Sequence, residues 1–267
     1  MNIKNLLRIA KKDWMEVRSN KELLLPLLLV PALLSIFLPL VLSLAVPFDP
    51  GSPEEILAIR IALGVGMEVS DGGVMIIMMT NSMLKPYLLI IPTMVAMIIA
   101  SDSIAGEKER KTIESFLVLP LSDREILVGK IMGALIPSLA ASWISFFFMG
   151  TTINIAGRPH LGSHLLIFGD ASWWLLNGLL VTIISFLSTL FMVLISSIVR
   201  NVKAAQQYAA LGVIPIIGLV ISGLTQVFIL DVFGILLVSA ILWGITIGLT
   251  YLTTKRLNRE KLILTLD

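Results

Sequence analysis

Apolar runs of about 20 residues recur along this chain, and they restrict its fold more than any other feature. Hydrophobic residues make up 57% of the 267 residues and charged residues only 14%, whereas soluble domains carry about 25% charged residues. A run of this length crosses the ~30 Å hydrocarbon core of a bilayer as a helix, in which every backbone polar group bonds internally. The sequence therefore predicts an all-α polytopic membrane protein with six transmembrane helices, at Leu23–Val46, Tyr87–Ile104, Ile131–Ile155, Trp173–Val199, Ala204–Leu230 and Val232–Thr253.

The basic residues lie almost entirely in alternate connecting segments. With a cytoplasmic N-terminus, 17 of the 20 Lys and Arg residues fall on the inner side, and only Arg60, Lys85 and Arg158 fall on the outer side. The outer segments carry acidic residues instead. This distribution follows the positive-inside rule, and we expect both termini to be cytoplasmic.

The first 22 residues place apolar side chains at helical spacing between Lys and Arg residues, which predicts an amphipathic helix in the inner membrane interface. The apolar run that follows is too long for the core of a signal peptide, so we interpret it as a retained span. The full assignment is an interfacial helix at 1–22, a transmembrane domain at 23–254 with outer loops at 47–85 and 156–172, a charged inner segment at 102–130, and a cytoplasmic tail at 255–267.

Two stretches of this assignment have special features. In the first outer loop, Pro53 predicts the start of a short helix at 54–65, while the apolar stretch Gly72–Met83 either packs against the outer mouth or extends the second span. The fifth span contains helix-breaking residues, after which we expect its distal part to turn back toward the outer surface; these residues are Pro215, Gly218 and Gly223.

The charged segment 102–130 has a helix–turn–helix pattern of its own. Glu107–Leu119 suits a helix with a favourable i, i+4 pair between Glu107 and Lys111, and Pro120 ends it. Ser122 and Glu125 then form a capping box at the start of a second helix. An ordinary solvated loop with capping also fits this pattern.

The same segment resembles the signature of the type-2 ABC transporter permeases, which are export-associated membrane subunits with six spans. The similarity rests on Ile-Ala-Gly-Glu-Lys-Glu-Arg-Lys-Thr-Ile-Glu at 104–114, on Leu-Pro-Leu-Ser at 119–122 and on Glu-Ile-Leu-Val-Gly-Lys at 125–130. Lys111 departs from the family pattern, which commonly has Gly at this place. On a helix face this change is mild.

The resemblance implies that the segment holds a coupling helix, which docks on a separate ATP-binding cassette ATPase subunit. The coupling residues would be Gly106, Glu107, Arg110, Lys111, Glu114 and Phe116. The resemblance also implies two permease subunits, identical or similar, around a central path in the plasma membrane of a prokaryote. The surroundings are then the lipid bilayer, and no nucleic-acid partner is expected.

A P-loop for ATP is absent from the sequence. The pair Gly129-Lys130 is followed by Ile131, and Arg124 stands where a P-loop requires its first glycine. We therefore expect no cofactor and no enzymatic activity on this chain, with ATP and Mg²⁺ bound by the partner subunit.

Three other functions compete with this interpretation. An enzyme needs a catalytic set, and the only histidines, His160 and His164, lie beside Pro159 and Gly162 in what reads as a loop. A secondary transporter or ion channel usually places ionisable groups at membrane depth, and the predicted spans contain essentially none. A membrane scaffold that transports nothing would not account for the coupling motif.

The polar residues inside the spans are uncharged. They either form hydrogen bonds between helices or line a weakly polar translocation path, for which the candidates are Ser142, Asn154, Asn177, Thr182, Ser185 and Gln226. Such a path suits an amphipathic or apolar cargo, and hydroxyl and carbonyl oxygens also suit Na⁺. Drugs, lipids, peptides and sodium all remain open as substrates.

Overall fold

The computed structural model describes residues 3–45, 52–112, 122–199, 201–224 and 230–256. Helices and short turns make up this part of the chain, and it contains no strand. The helices are α1 (Ile3–Ser19), α2 (Lys21–Ala32), α3 (Leu38–Ala45), α4 (Pro53–Leu63), α5 (Asp71–Met79), α6 (Lys85–Glu109), α7 (Asp123–Ala156), α8 (Arg158–Leu161), α9 (Ala171–Leu175), α10 (Val181–Ile198), α11 (Val202–Leu224) and α12 (Val232–Arg256). Single π-helical turns join α2 to α3, α5 to α6 and α9 to α10, at Leu33–Phe37, Thr80–Leu84 and Leu176–Leu180.

Five helical stretches of the described residues are long and apolar enough to cross a membrane. They cover the first, second, third, fourth and sixth predicted spans, which confirms the all-α polytopic membrane fold; their bounds are Leu27–Ala45, Asp71–Glu109, Arg124–Ala156, Ala171–Ile198 and Val232–Thr254. The fifth predicted span corresponds to α11, which has 23 residues. The count of six spans stays a prediction.

α11 does not break where the sequence suggested. It continues as one helix through Pro215 and Gly218 to Leu224, so the predicted break at Pro215 and Gly218 is wrong, while the predicted turn of the residues after Gly223 stays a prediction. Proline is tolerated inside membrane helices because neighbouring helices and local adjustments satisfy the backbone carbonyl that it frees. The distal part of the predicted span, which includes Gln226, lies outside the described residues.

The second span, formed by α5, a π-helical turn and α6, is the longest helical stretch of the described residues and the centre of their packing. It begins after Ser70, whose Oγ accepts a hydrogen bond from the backbone N–H of Gly73 at 3.1 Å. From there it runs for 39 residues to Glu109. The apolar stretch Gly72–Met83 therefore extends this span, which is one of the two alternatives that the sequence left open. α6 is buried along most of its length because α7, α10 and α11 pack around it.

α1 is the amphipathic helix predicted within residues 1–22, and it packs across α7 at two glycines. A Cβ atom at Gly129 would lie 2.8 Å from Cβ of Ile9, and one at Gly133 would lie 3.4 Å from Cα of Ala10. Small residues four positions apart let two helix backbones approach closely. The apolar face of α1 is buried in this contact through Leu6, Ile9 and Val17.

The predicted capping box at the start of α7 is present. Ser122 Oγ accepts from the backbone N–H of Glu125 at 3.2 Å, and the Glu125 carboxylate accepts from the backbone N–H of Ser122 at 3.0 Å. Two donors at the helix start are thereby satisfied. The end of the bundle at which α6 stops and α7 starts, where α1 also lies, is called the inner end below.

The opposite end is closed by short helices. α4 starts at Pro53, as predicted, with its own capping box. Its buried Arg60 holds the following turn by donating to the carbonyl of Val69 at 2.9 Å and by pairing with Asp71 at 3.0 Å.

Candidate functional site

Four consecutive charged residues lie where α6 ends, three in its last turn and Arg110 directly after it. Glu107, Lys108, Glu109 and Arg110 are named the inner hub here. They lie within the predicted coupling segment 102–130, at the turn toward α7. Their partners lie on α1, α7, α10 and α11, about 90 residues away along the chain in most cases.

Glu107 is the buried centre of the inner hub, with 1% of its side chain exposed. Its Oε1 accepts a hydrogen bond from Lys12 Nζ of α1 at 2.5 Å, and its Oε2 lies 3.4 Å from Lys130 Nζ of α7. The sequence predicts that Glu107 pairs with Lys111 and contacts another chain. In the structure this buried carboxylate pairs with Lys12 and Lys130 instead of Lys111, and its contact with another chain stays a prediction.

Lys130 and Asp13 complete the buried part of the network. Lys130 is 2% exposed, donates to the carbonyl of Ser103, and lies 3.9 Å from Asp13 Oδ1. Burial raises the pKa of Asp13 to about 6, because desolvation outweighs the attraction of Lys130 and the nearby Glu107 adds repulsion. Asp13 therefore changes its charge close to neutral pH at the contact between α1 and α7.

Lys108 and Glu109 bind the two helices that pack on α6 from the other side. Lys108 Nζ donates to the carbonyl of Ser197 at 2.6 Å and to that of Val199 at 3.2 Å, where α10 ends. Glu109 Oε2 accepts from the backbone N–H of Val202 at 3.1 Å, where α11 begins. A cation at a helix C-terminus and an anion at a helix N-terminus both complement the helix dipole.

Arg110 caps the hub on its exposed side. Its guanidinium pairs with Asp102 at 3.1 Å and with Glu16 of α1 at 3.3 Å. Burial alone would lower the pKa of Arg110, but the hydrogen bond and attraction from Asp102 raise it overall. Gly106 leaves room for this pair, because a Cβ there would lie only 2.2 Å from Asp102 Oδ1.

α6 ends at Glu109, so the helix predicted at Glu107–Leu119 is interrupted at residues 110–112, and the rest of that prediction, at 113–119, lies outside the described residues. Lys111 has a φ of 56°, and its N–H bonds to the carbonyl of Lys108 at 3.1 Å while Thr112 N–H bonds to that of Glu107 at 2.9 Å. This is a Schellman motif, in which glycine is the usual left-handed residue. Lys111 is thus not on a helix face. The predicted coupling residues Glu114 and Phe116 lie outside the described residues.

Three carboxylates of this site lie close enough to suggest a metal centre. Within the described part of the chain, Asp13, Glu16 and Glu107 form the one cluster whose ligand oxygens all lie within 4.8 Å of one another. However, Lys12 pairs with both Glu16 and Glu107, and Lys130 pairs with Asp13 and Glu107. The amino groups already supply the positive charge, and the arrangement is an ion-pair network.

The candidate translocation residues do not form one cluster. Ser142 of α7 donates to Asn177 Oδ1 at 2.8 Å in a buried contact between helices. Ser185 and Thr182 each donate to a carbonyl one turn back in their own helix. Asn154 holds the outer loop by bonding both the N–H and the carbonyl of Leu166. Gln226 lies outside the described residues.

Sequence reasoning missed several residues of these networks. Asp13 was not singled out, although it continues the stripe formed by Ile9 and Val17 at four-residue spacing, and that spacing is a usable signal. Lys85 was assigned to an outer loop, but it is 3% exposed inside the second span. It donates to Ser172 Oγ at 2.7 Å and lies 3.7 Å from Asp170 Oδ2. A lone lysine within a long apolar stretch was the signal there.

Comparison with known proteins settles the family. The family model described as "ABC-2 family transporter protein" matches residues 7–264, which is nearly the whole chain. The chain belongs to the ABC-2 family of transporter proteins. This membership confirms the resemblance that residues 104–130 carried.

A named relative of this ABC-2 family chain is the ABC transporter permease protein NatB of Bacillus subtilis (strain 168). The two are 32% identical over 121 residues, which covers 43% of this chain and 30% of NatB. The similarity therefore spans less than a third of the length of NatB.

Proposed function

We propose that this chain is the permease subunit of an ATP-driven ABC exporter and that the inner hub couples a separate ATPase subunit to the membrane helices. The observation that carries the proposal is the placement of the hub. Four successive side chains at the end of the central helix bind α1, α7, α10 and α11 within the segment predicted to dock the ATPase. Family membership supports the same assignment.

The mechanism follows from these hydrogen bonds and ion pairs. The coupling segment would contact a cleft of the ATPase subunit, beginning with Arg110 and Lys111, whose side chains are exposed. When ATP binding closes the ATPase subunits, the segment moves and pulls on the inner end of α6. Because the hub bonds cross to the other helices, a displacement of α6 reaches them together instead of being absorbed by one flexible turn.

The remaining components of the proposal come from family membership and from charge placement. ATP and Mg²⁺ bind the partner, and two permease subunits, identical in the simplest arrangement, enclose the path. Both chain termini lie in the cytoplasm of a prokaryotic cell. The buried contact between Ser142 and Asn177 is the best-placed polar pair for a path between α7 and the fourth span.

Co-purification tests the partner. The tagged chain, expressed in its native host and extracted in mild detergent, should retain a soluble protein with a P-loop in stoichiometric amount. Lys111→Glu should reduce the retained ATPase several-fold, because Lys111 is exposed in the coupling segment. Lys21→Glu, the same charge reversal at another exposed lysine, should leave retention unchanged.

Two results would contradict the proposal. One is purification of the chain without an ATPase even after lysine-directed crosslinking, which would favour a channel or secondary transporter. The other is equal loss of the ATPase in both lysine variants, which would place the contact elsewhere.

A further inference from the structure

An apolar groove lies at the inner end, between α1, the first span and α7. Its volume is about 820 Å³. The first span contributes Leu27 to Ile36 and α7 contributes Met132 to Phe148 to its walls. At 1.5 Å per residue, the α7 wall is about 24 Å long, which exceeds the ~15 Å depth of one leaflet.

α1 presents a separate face to this groove. Leu6, Ile9, Asp13 and Val17 are its buried face, whereas the groove is lined by the adjacent face with Leu7, Ala10, Lys11 and Trp14. These four residues have the i, i+3, i+4, i+7 spacing of one helical stripe. α1 thus adds a second helical stripe to the molecule's apolar surface, and Ala10 borders both the groove and the contact with α7 at Gly133.

The lining of the groove matches an amphiphilic ligand. Its walls are apolar apart from Lys11 and two serines, Ser35 and Ser145. The Ser35 hydroxyl donates to the carbonyl of Pro31 at 2.5 Å, so it is already engaged. Lys11 is exposed at the mouth, and within the described residues no carboxylate lies within ion-pair distance of it. A long apolar ligand with one anionic end matches this arrangement.

We infer that the groove binds an anionic glycerophospholipid of the inner leaflet, with an acyl chain along α7 and the phosphate at Lys11. The exposed Arg8, one turn earlier on α1, adds positive charge beside the same headgroup position. Trp14 also lines the groove. Tryptophan side chains are enriched at the membrane–water interface, which is the level at which a lipid headgroup lies. This site is independent of the proposed ATPase coupling and requires no partner subunit.

Quenching of tryptophan fluorescence by lipids with brominated acyl chains tests the site on the intact chain in proteoliposomes. The fluorescence of Trp14 alone is obtained by subtracting the fluorescence of the Trp14→Phe variant, which keeps the other four tryptophans, from that of the wild type. Brominated phosphatidylglycerol should quench Trp14 at a lower mole fraction than brominated phosphatidylcholine. Lys11→Gln should raise the phosphatidylglycerol fraction for half-quenching about five-fold, because one lysine near anionic lipid contributes roughly 1 kcal/mol.

Matched variants separate the site from bulk charge and bulk packing. Lys21→Gln removes the same charge from an exposed lysine that does not line the groove, and it should have no effect. Ala140→Phe fills the groove and should abolish the preference for phosphatidylglycerol. Ala240→Phe, at an exposed alanine of α12, should not.

Three outcomes would overturn the inference. Equal quenching by both lipids would mean ordinary annular lipid. Equal effects of Lys11→Gln and Lys21→Gln would mean general attraction to the surface. Protection of Trp14 from both lipids would mean that protein, such as a second copy of this chain, occupies the groove.

Discussion

Lys111 holds a backbone conformation that most side chains avoid. Its φ of 56° places it in the left-handed region, which costs an L-residue roughly 1–2 kcal/mol. We expect Lys111→Gly to raise the free energy of unfolding by about 1 kcal/mol, measured by thermal unfolding in detergent. The same substitution at Lys11, which is exposed in the middle of α1, should instead lower stability by about 1 kcal/mol. Two changes of the same sign would contradict the assignment of a Schellman motif.

Asp13 makes the inner end sensitive to pH. Its pKa is about 6 in the folded chain against 3.8 ordinarily. A raised carboxyl pKa adds stability that is fully present below pH 3.8 and is lost as the pH rises through 6. The facing charges are Lys130 of α7, Glu107 of α6, and Lys12 and Glu16 of α1.

Asp13→Asn should remove this dependence. Wild type should lose stability relative to the variant as the pH rises from 4.5 to 7.5, by about 2 kcal/mol, because most of the two-unit difference between the folded and unfolded pKa lies inside this range. Unfolding temperatures of both proteins across this range measure the difference. Parallel curves would show that Asp13 titrates normally.

The charged residues 107–111 were identified from sequence, but their environment was not. Lys12 and Glu107 are 95 positions apart, and no local pattern reports a contact of that range. Charge near an aqueous segment was therefore interpreted as surface, while the structure buries Glu107 and Lys130 and leaves Arg110 and Lys111 exposed.

At the scale of elements, the contact between α1 and α7 depends on Gly129. A methyl group there would meet the branched side chain of Ile9, with 2.8 Å between the two Cβ atoms. Forcing extra volume into such a contact costs about 1–3 kcal/mol. We expect Gly129→Ala to lower the unfolding temperature and to speed amide exchange in residues 3–19.

Gly248→Ala is the control for this change. Gly248 lies in α12 with no atom within 4 Å of its would-be Cβ, so alanine there should be neutral or slightly stabilising through helix propensity. If Gly129→Ala leaves exchange in α1 as slow as in the control, the two helices do not depend on this close approach.

The existence of the helices and their caps could be predicted from sequence because both have local causes. The length of each apolar run predicts a membrane span, and the capping box of Ser122 and Glu125 predicts the start of α7. One boundary that was misjudged and one that was left open both depended on packing. Pro215 does not break α11, since a membrane bundle tolerates proline inside a helix. Residues 72–83 are buried against other helices as part of the second span, and an apolar stretch alone does not distinguish that from packing at the mouth.

At the scale of the whole molecule, Lys85 and the inner hub bond the two ends of α6 to the surrounding helices. Lys85 joins the outer part of the second span to Ser172 and to the carbonyl of Leu230. The hub joins the inner end to α1, α7, α10 and α11. A helix held at both ends transmits displacement along its axis, which is the property that the proposed coupling requires.

Glu107 is the residue on which this connection most depends. Glu107→Gln would keep the shape of the side chain but remove the charge that faces Lys12 and Lys130. Removing one partner from a buried ion pair typically costs about 3–5 kcal/mol, since the other charge stays desolvated. We expect a large fall in unfolding temperature and faster amide exchange in α1 and in the first turns of α7 together.

Glu109→Gln is the matched control, two residues away. Glu109 is exposed and accepts from the N–H of Val202, a hydrogen bond that a glutamine carbonyl also accepts, so the cost should stay below about 1 kcal/mol. With the ATPase partner bound, Glu107→Gln should also weaken the effect of the permease on the ATPase rate without releasing the partner, because Glu107 is internal. Loss of the ATPase from this variant would instead place Glu107 at the subunit interface. Equal stability losses in both variants would show that the hub is a set of separate surface bonds and not a connected network.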